Sequence, residues 1–179
     1  MNKLKFYTNV IFFLTTVNSS YANQKIGSFS IIDESFEGVL VFRAYAFGNN
    51  SSLKYECVNA APSGGLKQKT LAINYAKWSG NYFNGAFLIK YRINDSEGRI
   101  SEKNVAFYKN EGMTFSNLDA TNLVFIEHLS ENNGVLYLDA TFYNDIVEKK
   151  VLFEFSDKIL ISDFRMAVNY IDSMCLGKR

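Results

Sequence analysis

Five stretches of this chain alternate apolar and polar residues with a period of two, and that alternation constrains the fold more than any other feature. In SSLKYECV, Leu53, Tyr55 and Cys57 fall on one side and Lys54 and Glu56 on the other. TLAINYA groups Leu71, Ile73 and Tyr75, and GAFLIKYRIN groups Phe87, Ile89, Tyr91 and Ile93 while leaving Lys90, Arg92 and Asn94 opposite. VLYLDATFY offers Leu136, Leu138, Ala140 and Phe142 to a core, and KVLFEFS offers Val151, Phe153 and Phe155. Successive side chains of a strand point to opposite faces, so each stretch predicts a strand buried on one face. GVLVFRAYAF is apolar on both sides and suits a central strand.

The connections carry turn chemistry: GNNSS follows the first long strand, APSGG holds the single proline, SGNYFNG precedes GAFLIKYRIN, and YNDI joins the last two strands as a hairpin. Two segments change period. NLDATNLVFIEHLSENNG sets Phe125, Ile126 and Leu129 on one side at helical spacing and stops at Asn133 and Gly134. SDFRMAVNYIDSMC repeats the signal, with Ser162 as the expected N-cap, Asp163 at the positive end of the dipole, and a stripe of Phe164, Val168, Ile171 and Cys175. The expected fold is mainly β (α+β): an antiparallel, sandwich-like domain with a short helix and a C-terminal helix.

Residues 1–22 read as a secretory signal. Lys3 and Lys5 make a basic start, VIFFLTTV is a short apolar run, and Ser20, Tyr21 and Ala22 end it with small residues at the positions signal peptidase reads, placing cleavage after Ala22. The run is about half of the roughly 20 residues a membrane-spanning helix needs. A buried N-terminal strand or a retained anchor are the alternatives. Residues 23–179 are then one β-rich exported domain, periplasmic or secreted, with no membrane span. Removing Lys3 and Lys5 from 19 basic residues against 18 acidic ones leaves the mature chain within one charge of neutrality. That balance gives no electrostatic reason to expect nucleic acid or an anionic membrane as partner.

Export bears on the two cysteines. In an oxidising compartment a lone pair is ordinarily a disulfide, so Cys57 and Cys175 are expected to be bridged, stapling the terminal helix to the sheet. The alternatives are two free buried thiols or a metal site, and the chain offers one histidine and no CxxC or HxxxH spacing for a metal.

No catalytic constellation stands out. His128, the single histidine, lies beside the apolar stripe of the first helix with no GxSxG-type signature elsewhere. The adjacent acids Asp33 and Glu34 are of the type glycoside chemistry uses in pairs, but adjacent acids in a loop ordinarily face water. The stretch SGG at 63–65 lacks the lysine and helix of a phosphate loop. The expectation is therefore no catalytic residue, no cofactor and no metal. Two surfaces remain as binding candidates. Trp78, Tyr82 and Phe83 crowd the turn WSGNYFNG and suit stacking on a glycan or a protein hot spot. Lys90 and Arg92 stand side by side on the outward face of IKYRIND and suit an acidic partner.

A cysteine closing one strand (LKYEC), a later IKYRIND strand, a helix, a hairpin with FEF and a terminal AVNYIDSMC follow one another in this order. Over roughly Phe29 to Cys175 this layout resembles the periplasmic type VI secretion-associated VasI-like family. It is similar also to the invasion-associated locus B-like exported proteins. Phe29 stands where that family has an early tryptophan, Asn94 replaces an aspartate, and SDKILISD replaces a glycine-containing junction. The resemblance implies a non-enzymatic periplasmic accessory protein that binds an envelope or secretion-system protein. A glycan- or lipid-binding role, or an immunity or inhibitor role against an envelope-acting enzyme, are the other readings.

Overall fold

The computed structural model describes residues 24–61, 64–75, 82–108, 113–116, 120–144 and 150–177, of which residues 75, 82–84, 102–108, 113–116 and 120–123 are described by backbone alone. The expected signal, residues 1–22, lies outside them. The described elements run β1 (Gln24–Ile26), β2 (Phe29–Asp33), β3 (Leu40–Phe47), β4 (Ser51–Asn59), β5 (Lys67–Tyr75), β6 (Tyr82–Ile93), β7 (Ser96–Tyr108), β8 (Met113–Ser116), α1 (Ala120–Glu131), β9 (Val135–Tyr143), β10 (Val151–Leu160) and α2 (Phe164–Leu176). They build two antiparallel sheets, one ordered β1-β2-β3-β4-β5-β8 and the other β10-β9-β6-β7.

Alternation decides which faces meet. Leu53, Tyr55 and Cys57 of β4, Leu71 and Ile73 of β5, and Phe42, Ala44 and Ala46 of β3 are buried on one face of the six-stranded sheet. Phe87, Ile89, Tyr91 and Ile93 of β6 and Leu136, Leu138, Ala140 and Phe142 of β9 are buried on one face of the other. Together they form a single apolar core. Each leucine, isoleucine and phenylalanine among them contributes roughly 1.5–3 kcal/mol on burial. β3 lies inside its sheet, between β2 and β4, as its two-sided apolar character predicts. The four-stranded sheet meets the other where β10 packs on β3 and β4; α2 packs on β2, β3 and β4, and α1 on β7 and α2.

Helix α1 buries Phe125 and Leu129, with Ile126 half-buried, and the Phe125 ring lies 4.6 Å from that of Tyr91. Helix α2 buries Phe164, Ala167, Ile171 and Cys175, the spacing of one helical stripe. Cys57 and Cys175 are joined by a disulfide that ties this stripe to β4. Polar contacts surround the bridge. The Tyr55 hydroxyl donates to Asp172 at 2.8 Å, the Lys69 ammonium reaches the same carboxylate at 2.6 Å, and the Asn59 amide donates to the Cys175 carbonyl at 2.7 Å. Burial first, then the hydrogen bond to Asp172 and its charge, hold the Tyr55 hydroxyl well above the usual tyrosine range. Tyr55→Phe removes one part-buried hydrogen bond while Lys69 still neutralises Asp172. A loss of about 1 kcal/mol is expected in urea unfolding, and a change within experimental error would show that the hydroxyl contributes nothing.

Three local expectations are corrected. Ser162 does not cap α2: its carbonyl accepts from the Ser28 amide and hydroxyl, both at 3.2 Å, and the chain turns at Asp163 in the left-handed region (φ 63°) without a side-chain cap. That approach depends on Gly27, whose φ is +56° and where a Cβ would stand 2.3 Å from the Ser162 carbonyl oxygen. Val151 is not a core residue; it is 46% exposed, because the register of β10 against β9 shifts between Val151 and Phe153. The last hairpin is also wider than a YNDI turn. Its strands end at Tyr143 and Val151, and the Asn144 amide donates to the Lys150 carbonyl at 3.0 Å across the connection.

Candidate functional site

The outward side chains of the four-stranded sheet form the site. Strand parity that buries Ile89, Tyr91 and Ile93 turns Lys90 and Arg92 to solvent, and both are exposed. The antiparallel register then chooses their neighbours. Lys90 lies opposite Asp139 on β9 and Arg99 on β7, while Arg92 lies opposite Tyr137 on β9 and Glu97 on β7. Residues directly opposite across strands share a face, with Cβ atoms about 4.5–5.5 Å apart. The Arg92 guanidinium carbon sits 4.8 Å from the centre of the Tyr137 ring, a cation–π contact on a tyrosine that remains 43% exposed. Ser156 of β10 donates to Asp139 at 2.5 Å, which aims that carboxylate.

These groups border a depression of about 320 Å³ lined by Lys90, Arg92, Glu97, Tyr137, Asp139 and Ser156. A second depression of about 300 Å³ shares Tyr137 and Ser156 and continues to Asn49, Asn50 and Lys158. The surface is a shallow groove of mixed sign. Lys90 and Arg92 are therefore not a bare cationic pair, because each has an acidic cross-strand neighbour.

The second sequence candidate does not join the first. Trp78 lies outside the described residues. Tyr82 and Phe83 open β6, paired through the backbone with Tyr108 and Phe107. At about 3.3 Å per residue, Phe83 is roughly 23 Å along the strand from Lys90. The sequence reading missed Tyr137, Asp139, Glu97, Ser156 and Lys158. Their outward parity was legible for β9, but what brings them beside Lys90 and Arg92 is register between strands far apart in the chain.

Other polar groups are committed to the fold. Asp157 occupies a core-parity position of β10 yet is charged, a signal the sequence reading passed over. Its carboxylate accepts the backbone amides of Asn49, Asn50 and Ser51 at 3.1, 2.9 and 2.7 Å, the Ser51 hydroxyl at 2.6 Å and its neighbour Lys158's amide at 2.8 Å. Burial pushes its pKa up, but the Ser51 hydroxyl and these amides outweigh that and hold it below the usual carboxylate range. On the outer face of the other sheet, Arg43 bridges Glu34 and Glu56. Asp33 accepts the Ser35 amide at 2.9 Å, so the adjacent acids Asp33 and Glu34 both serve the local structure. His128 Nδ1 and the Tyr91 hydroxyl share a hydrogen bond of 3.1 Å. Among the described residues no group of three or more His, Cys, Asp or Glu side chains is placed to hold a metal ion, and no described helix is long and apolar enough to cross a membrane. Comparison with protein-family models, with curated proteins and with solved structures finds no match.

Proposed function

We propose that this chain is an exported accessory protein that works by binding a protein of the cell envelope or a secretion machinery, not by catalysis, and that the outer face of its four-stranded sheet is the binding surface. The observation that carries the reading is the arrangement at its centre. An arginine stacked on a half-exposed tyrosine, with ordered charges of both signs around it, has the residue types and preorganisation of an interface hot spot. The Cys57–Cys175 disulfide supports export, since such bridges persist in oxidising compartments such as the periplasm. The VasI-like resemblance supports the same compartment and an accessory role.

The test is capture from a periplasmic extract on immobilised protein. The wild type retains a protein that the Lys90→Glu, Arg92→Glu variant loses, with the variant's circular dichroism unchanged. An identical set retained by both proteins removes this face from consideration.

A further inference from the structure

The groove's charges repeat in a pattern that fits itself. Across the sheet from β7 to β10, one row of outward residues reads Glu97, Arg92, Tyr137, Lys158, and the next reads Arg99, Lys90, Asp139, Ser156. About the midline between β6 and β9, Glu97 mirrors Lys158, Arg92 mirrors Tyr137 and Lys90 mirrors Asp139, each a residue it would attract. We propose that this face docks on a second copy of the chain, related by a two-fold axis running parallel to the strands midway between β6 and β9. The inference rests on reading this face as an interaction surface, and it names the partner.

Such an axis exchanges β6 with β9 and β7 with β10 while keeping each row in place. Lys90 then faces Asp139 of the partner subunit, Arg92 faces Tyr137 of the partner subunit, and Glu97 faces Lys158 of the partner subunit. Arg99 meets the neutral Ser156 of the partner subunit. No like charges confront each other in either row. The other in-plane axis, running across the strands between the two rows, is excluded by the same pattern, since it places Lys90 against Arg92 of the partner subunit at the centre. Isologous self-complementarity of this kind is what a two-fold interface requires. Packed sheets cross at about 30°, so the pairs nearest the axis, which involve Lys90, Arg92, Tyr137 and Asp139, are kept best.

The area available sets the strength. Four strands about 4.8 Å apart and about 30 Å long present roughly 500–600 Å² per subunit, or about 1,000–1,200 Å² in total, at the lower bound for a specific interface. The dimer is therefore reversible, and because its contacts are charged and near solvent it weakens as salt rises.

Sedimentation of protein exported to and purified from the periplasm, up to several hundred micromolar, tests this. The wild type associates to a dimer, and salt weakens it. Lys90→Asp sets two acids against each other across the axis and Asp139→Lys sets two bases, so each variant alone associates roughly tenfold or more weakly. Mixed in equal amounts, the two variants form a heterodimer, because both pairs between positions 90 and 139 are again of opposite sign. Near-ultraviolet circular dichroism and an intact disulfide confirm that each variant is folded. A wild type that stays monomeric throughout overturns the proposal, as does a mixture no more associated than its separate components. If the wild type is monomeric yet the Lys90→Glu, Arg92→Glu variant still loses a periplasmic protein, the self-docking proposal is overturned and the broader interaction reading stands.

Discussion

Replacing Cys57 and Cys175 together with alanine lowers stability by about 4–5 kcal/mol and the thermal midpoint by roughly 10–20 °C. The bridge closes a separation of 118 residues, which places its loop among the long ones for which denatured-chain entropy is most reduced. Both sulfurs are fully buried, so a further cost comes from the space left behind. The variant still folds, because α2 keeps its stripe of Phe164, Ala167, Ile171 and the contacts of Asp172 with Tyr55 and Lys69. What changes most is the end of the helix, where Asn59 alone then holds the Cys175-position carbonyl. Urea unfolding of wild type and double variant under the same oxidising conditions measures the difference. Equal midpoints would show that noncovalent docking of α2 already sets the stability, and that the staple adds nothing to it.

How far such features are legible in the amino-acid sequence depends on whether their cause is local. The inward faces of β4, β6 and β9 follow from alternation within nine to twelve residues, and every described inward position named for these strands is buried. The disulfide needed no geometry, since two cysteines admit one pairing. By contrast β7 runs 13 residues through SEGRISEKNVAFY without a clean alternation, and its pairing with β6 shifts register between Gly85–Val105 and Phe87–Glu102, a bulge that breaks the period of two. Its pattern is set by its pairing with β6. Val151 kept the right parity in sequence and lost it to a register shift, and Ser162 had cap chemistry but lies one residue before the cap position, which Asp163 takes in the left-handed region. The candidate site shows the same division. That Lys90 and Arg92 point outward is local; that Asp139, Glu97 and Tyr137 stand beside them is a property of register, which a one-residue slip would abolish.

Asp157→Ala is expected to cost about 2–4 kcal/mol, because it orphans the donors this carboxylate collects from the β3–β4 turn. The amides of Asn49, Asn50 and Ser51 and the Ser51 hydroxyl converge on it from a turn more than a hundred residues away, fastening one sheet to the other. Gly48 lets the turn come that close, since a Cβ there would stand 2.5 Å from the Asp157 carboxylate and 2.8 Å from the Lys158 carbonyl. The loss depends on pH. The native pKa of Asp157 lies below its unfolded value of about 3.9, so its contribution is full above that value and disappears as pH falls through the native pKa. Glu56 acts in the same direction: burial raises its pKa, but the Arg43 hydrogen bond, the charges of Lys54 and Arg43 and the Thr70 hydroxyl hold it low. Wild-type stability is therefore expected to fall steeply below about pH 4, and the Asp157→Ala variant, lacking one of these two groups, to fall less steeply. Denaturant midpoints at neutral pH and near pH 3 should show the two proteins converging as acid is added. A gap that stays constant across that range would mean that the charge of Asp157 is not what holds the turn.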